Sequence, residues 1–316
     1  MKALIITILN WGFILPIISQ NPYIITKDKT IELYKNLYLS SEIDSIDWNG
    51  NVNKCNCSTL KNDIYQKAQN RINFFRLMNG LNEIKINFKF NREAQEAALL
   101  IKANNQLTHY PVKSMKCFTE SASNGCKKSC LAFTDYKNFP LTSFITEFIW
   151  DFGESNYYVG HRRWILYSKL KEFGYGATNN TESLLTVDGV SHDSIALPKF
   201  IAYPWKGYVP VNLIFPKWSF SIPEGQEVDF KNTIILMTDE SGKSILIEKL
   251  KERKNYLDNT IVWTAKGLFT DYEIAYGQNK LEEKGYLNKK IKVQIRNVIV
   301  NGDSKNFEYY VEPIKY

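Results

Sequence analysis

The sequence predicts an α+β protein built from two units, on three observations: apolar residues at helical spacing from Ile64 onward, glycine-punctuated strand signals after them, and short alternating apolar segments beyond Pro204. At 316 residues the chain is long enough for two buried cores. Its 44% apolar and 23% charged residues, with 16 Gly and 10 Pro, exclude a disordered, collagen-like or disulfide-scaffold chain.

Residues 1–20 place one lysine before an apolar run that ends in small or polar residues, the pattern of a secretory signal peptide. Asn10 and Pro16 break the run and it is short for a bilayer span, so an uncleaved anchor is the lesser alternative. Export of a mature chain carrying a formal charge of +6 follows, with no transmembrane segment left in it and a secreted or cell-surface location. The basic residues alternate with acidic ones, as in 249–254, which describes a solvated face and excludes a nucleic-acid groove.

Residues 21–62 are polar with scattered aromatics and read as an irregular N-terminal arm. Ile64, Ala68, Ile72, Phe75 and Leu77 or Met78 then mark a helix that stops at Asn79-Gly80. A second helix is expected from a cap at Asn91, through Ala94, Ala97, Ala98, Ile101 and Leu107, to an end near His109. Residues 112–140, with three cysteines and many small polar residues, read as a long loop. Phe144, Ile145, Phe148 and Ile149 give a third helix, ending at Trp150. Strands are expected near 172–176, 184–187 and 194–197, so that 63–203 forms one layered α/β unit. Beyond it, segments at 234–237, 244–247, 260–263, 291–300 and 307–311 predict a small β-sandwich over 204–316. Tyr203, Trp205, Tyr208 and Trp218 open that unit, as an interdomain core or as a contact surface.

Five cysteines, Cys55, Cys57, Cys117, Cys126 and Cys130, leave at least one unpaired within the chain. In an exported protein they read as disulfide formers; Cys55 or Cys57 can staple the arm to the Cys117–Cys130 cluster. Zinc held by thiolates is disfavoured, since none of the pairs has CxxC spacing. Of three histidines, His109 lies at a helix end before Pro111, His161 follows Gly160, and His192 sits in a loop signal.

The phrases Arg71-Ile72-Asn73-Phe74-Phe75-Arg76, Asn91 to Ala98, Leu107-Thr108-His109, Trp150, Val159-Gly160-His161-Arg162-Arg163-Trp164-Ile165-Leu166 and Gly174-Tyr175-Gly176 resemble, in that order, the CAP superfamily of cysteine-rich secretory proteins, antigen 5 and pathogenesis-related 1 proteins, in its bacterial-type branch. The resemblance covers roughly 63–200 and implies an extracellular α-β-α sandwich. It also implies a central cleft of two histidines and two acidic residues, able in some members to bind a divalent cation such as zinc. His109 and His161 match the two histidine motifs. The first acidic position falls on Glu120 by spacing, or on Ser129 if Lys128-Ser129-Cys130-Leu131 stands for the family's Gly-Glu-Asn-Leu phrase. The second falls on Glu154, with Glu147 its competitor, while Asp151 and Asn156 are placed to orient His161 or its loop.

Two imidazoles and one or two carboxylates make a plausible open zinc site whose bound water is a potential nucleophile. The chain has neither HExxH nor GxSxG and no convincing nucleophile–base pair, which weighs against an enzyme. The expected function is extracellular binding of a protein, lipid or small ligand. The alternatives are a metal-dependent hydrolase using the same cleft, or an adhesive surface protein working through its β-unit.

Overall fold

The computed structural model describes residues 25–43, 45–135, 142–193, 196–270, 273 and 280–316. The arm is not irregular throughout. It opens with a helix, α1 (Lys27–Leu33), capped by the Thr26 hydroxyl and continued by tighter and wider turns to Ser41. Tyr34 and Tyr38, one turn apart, stack at 4.9 Å and are buried. Two tyrosines in a polar run carry too little periodicity to announce a helix; their burial depends on what they pack against.

The next helix, α2 (Asn62–Met78), follows the predicted stripe. After the short strand β1 (Lys85–Ile86) comes α3 (Phe88–Asn104), and here the cap is Asn87, whose side chain accepts from the Lys89 amide. Asn91 lies inside the helix and accepts instead from the Tyr175 amide, which ties α3 to the sheet. The helix stops at Asn104 because Asn105 turns left-handed, so Leu107 lies outside it and is exposed. The stretch expected to be a loop holds two elements, α4 (Glu120–Lys128), capped by the Thr119 hydroxyl, and β2 (Ser129–Phe133). Both are short, and α4 packs so closely that a Cβ on Gly125 would strike the Glu93 carbonyl; its small polar residues serve close approach, which also looks like loop composition.

Then follow α5 (Thr142–Trp150), α6 (Gly160–Ile165), β3 (Glu172–Ala177) and β4 (Thr181–Leu185). The sheet order is β1-β3-β4-β2, with β1 parallel to β3 and the other pairs antiparallel. Leu131 on one face packs with Ala97, Leu100 and Ile101 of α3 and Cys126 of α4, whereas Cys130, Phe173, Tyr175 and Leu184 on the other join the cluster that includes α2 and α5. Period-two alternation thus gives each face its own helical layer, an α-β-α sandwich. Gly174 and Gly176 allow the α3 backbone to lie against the sheet. Of the strand expected at 194–197, residues 194 and 195 lie outside the described residues, and 196–197 form none.

The remainder is a pair of sheets. One has the order β10-β11-β7-β5, from β5 (Ile201–Tyr203), β7 (Lys217–Ile222), β10 (Glu248–Lys249) and β11 (Asn259–Thr264). The other runs β6-β13-β12-β8, from β6 (Gly207–Pro210), β8 (Val228–Asp229), β12 (Ile291–Val300) and β13 (Asp303–Ile314), with β9 (Ile234–Thr238) also paired to β12. Phe220 of β7 meets Phe307 of β13 at 5.0 Å, and the Trp263 indole of β11 donates to the Met237 sulfur of β9, so the sheets face each other across an aromatic core. The strand expected at 244–247 is only an isolated bridge from Ser244 to Thr238.

The core is continuous between the two units. Phe74 of α2 meets Trp205 at 5.6 Å, Trp150 stacks on Phe215 at 5.4 Å, and Tyr34 meets Tyr316 at 4.2 Å. Tyr203 and Trp205 therefore belong to the contact between the units, and Trp218 packs beside Trp263 within the sandwich.

Candidate functional site

α5 ends at Trp150, and its last carbonyls need donors from outside the helix. Arg162 supplies them, its guanidinium donating to the Ile149 carbonyl at 2.6 Å and the Trp150 carbonyl at 3.2 Å. Lys217 of β7 supplies the next two, donating to the carbonyls of Asp151 at 2.6 Å and Gly153 at 2.8 Å. The chain reverses here through left-handed Asp151 at φ 57° and Gly153 at φ 89°, a conformation that Asp and Gly tolerate better than most residues. This turn projects the Asp151 side chain inward, where it is fully buried.

His161 is the second residue of α6 and meets that carboxylate. Its Nδ1 lies 2.7 Å from Asp151 Oδ1, while Asp151 Oδ2 accepts from the Arg162 amide at 3.2 Å. A carboxylate at that distance holds the proton on Nδ1 and leaves Nε2 as the acceptor of a neutral ring. The ring leans on Phe148, centroids 5.0 Å apart, and stays 28% exposed. Burial alone would push its pKa down, but the charge of Asp151 and its hydrogen bond outweigh that, so the imidazole titrates above the ordinary value of 6.5. One turn before Asp151, burial pushes the Glu147 carboxyl up to about 7.

Of the other expected residues, His109, Glu120 and Asn156 have partners of their own. His109 follows α3 and its Nδ1 pairs with the Cys126 carbonyl of α4 at 2.8 Å. Glu120 is exposed at the first turn of α4, 3.9 Å from Lys113, and Glu154 is exposed on the turn after α5. Asn156 donates to the Phe152 carbonyl rather than to His161. Ser129 is buried at the start of β2, with its hydroxyl unpartnered among the described residues. The structure therefore brings together His161 and Asp151. Among the described residues, no three His, Cys, Asp or Glu side chains are close enough together to hold a metal ion.

One disulfide, Cys55–Cys117, joins the arm to the loop after His109, with Cα atoms 5.1 Å apart; Cys57, Cys126 and Cys130 are free. Burial pushes the Cys126 thiol up to about 12 and the Cys130 thiol well above 9.0, so neither is a thiolate nucleophile near neutral pH. Sequence reasoning missed Lys217 and Phe148 as supports of the histidine, because they come from elements whose contact is purely tertiary. It also missed Glu182 of β4, a fully buried carboxyl whose pKa desolvation pushes well above the ordinary value; its only signal was a lone acid in an otherwise uncharged strand.

The fold and the site together define an α-β-α sandwich that carries, at the start of a short helix, a histidine backed by a buried carboxylate. Residues 69–187 match the CAP, cysteine-rich secretory protein family, and the chain carries a CAP domain of that family, with a β-rich region after it. No curated protein and no solved structure matches the chain significantly. No helix among the described residues is long and apolar enough to cross a membrane.

Proposed function

We propose that the chain is an exported CAP-domain protein that acts by binding a ligand outside the cell, with the His161 imidazole as the polar anchor of the contact. The observation that carries this reading is the Asp151–His161 pair, which fixes the tautomer and orientation of a partly exposed ring. Such a ring accepts a hydrogen bond at Nε2 above its pKa and donates one below it, and it is held still before the ligand arrives. The signal-like segment at 1–20 and the disulfide support export. Binding is favoured over turnover because burial holds both thiols beside the sheet in their protonated form, and the one acidic group that His161 meets among the described residues is Asp151, which orients it.

Three histidines make the imidazole region of an NMR spectrum readable one residue at a time. Screening the mature chain against lipids, short peptides and small polar fragments is expected to yield ligands that shift His161 but not His192, an effect lost in Asp151→Asn. A library that leaves His161 unmoved, or peptide or ester cleavage abolished by His161→Ala, overturns the reading. Zinc titration of the metal-free chain is expected to show no one-site isotherm that depends on His109 and His161; an isotherm lost in the His109→Ala/His161→Ala variant would replace this reading with a metal-centred one.

A further inference from the structure

The loop between α3 and α4 sorts its apolar side chains into two sets. Pro111 is buried, and Met115 and Phe118 pack against the α3/α4 cluster. Leu107, Tyr110 and Val112 point outward and are 44%, 79% and 59% exposed. This exposure does not come from a loose backbone. Asn104 clamps the loop by donating to the Lys116 carbonyl at 3.0 Å and accepting from its amide at 3.0 Å, Met115 donates to Val112 at 2.9 Å, and Cys117 is bonded to Cys55. A braced loop that presents three large apolar residues within six positions cannot fold them away, and such a patch on a soluble surface marks a contact.

The charges around it select the partner. Residues 102–128 carry five lysines and one acidic residue, Glu120. Lys113 follows the apolar tip directly and Lys116 three residues later, and Lys127 adjoins Cys126, whose carbonyl meets His109. Apolar side chains at a tip, one of them a tyrosine with an amphipathic ring, behind a collar of lysines, match the layering of a bilayer surface, where an acyl boundary underlies headgroups. The remaining exposed apolar residues are dispersed or, like Ile234 and Leu236 on β9, share a sheet face with the paired Lys292 and Glu308.

We propose that the 107–113 loop docks on an anionic lipid surface, with Leu107, Tyr110 and Val112 entering the interface while Lys113, Lys116 and Lys127 meet the headgroups. This rests on the extracellular binding reading and supplies one of its partners. The test is co-sedimentation of the full mature chain with vesicles of phosphatidylcholine alone or with about one third phosphatidylglycerol. Partition onto the anionic vesicles is expected to fall about tenfold or more in Leu107→Ser/Tyr110→Ser/Val112→Ser, and to weaken with salt and in Lys113→Glu/Lys116→Glu. Circular-dichroism melting checks that the variants fold, and Tyr110→Ser alone serves if the triple variant does not. Absence of partition, partition indifferent to the apolar variants, or equal partition onto both vesicle types overturns the proposal. Ligand shifts at His161 that survive in a chain failing this test would leave the binding reading standing without the membrane.

Discussion

At His161 the imidazole meets a buried carboxylate, whereas at His109 the same side chain meets a backbone carbonyl. The first is fixed by Asp151, Arg162 and Lys217, drawn from α5, α6 and β7; the second sits at the foot of a loop braced by Asn104 and a disulfide. The difference teaches that a histidine motif does not define a chemistry by itself. Either acceptor fixes the tautomer by taking the Nδ1 proton, but a carboxylate adds a charge that raises the proton affinity of the ring.

The largest expected break in this comparison is Asp151→Leu, which strips His161 and the Arg162 amide of their acceptor and puts a bulkier residue at φ 57°. Chemical denaturation is expected to show a loss of about 3–5 kcal/mol, with Asp151→Asn costing less. Cys55→Ser/Cys117→Ser should follow at about 2–4 kcal/mol, through the unfolded chain, because the bond closes a separation of 62 residues. Hydrogen exchange in that variant is expected to quicken in 105–119 and stay slow at 150–162; quickening in both would mean that the two regions are one cooperative unit. His109→Ala removes one neutral hydrogen bond and is expected to cost about 1 kcal/mol. A cost equal to that of Asp151→Leu would erase the distinction.

The smallest effect is one of pH. His161 is raised above 6.5, so the stability from its pairing is complete below pH 6.5 and is lost as pH rises through the folded value. Glu147, raised from 4.5 to about 7 by burial, acts in the same direction: its protonated form suits the fold, and that contribution fades from pH 4.5 through about 7. Glu147→Gln is accordingly expected to reduce the fall in melting temperature between pH 5 and pH 8. In an imidazole titration, His161 should move below 6.5 in Asp151→Asn, where burial acts without the charge. A midpoint that does not move would assign the shift to something other than Asp151.

Much of the α/β unit was legible because period and punctuation agree in α2 and α5, where the apolar stripes run to Met78 and Trp150. The sandwich strands β9, β11, β12 and β13 were legible for the same reason. The cap at Asn87, the helix α1 and the pair α4 and β2 were not. Asn87 and Asn91 are equally good caps by residue type, and only packing against Tyr175 draws Asn91 into the helix. Short elements of small or polar residues carry little periodic signal, and α4 exists because Gly125 and Ala122 fit against α3.

The sequence by itself determined the α+β class, the order of the two units, the presence of an unpaired cysteine and the CAP-like phrases around both histidines, since local periodicity, parity and short motifs do not depend on distant contacts. Only the tertiary structure decided which cysteines pair, which face of the sheet each helix covers, and that Asp151 rather than Glu120 or Glu154 meets His161. Those outcomes depend on where chain segments tens of residues apart come to rest. A left-handed turn at Asp151, held by Lys217 from 66 residues away, is set by that packing and not by the residues beside it.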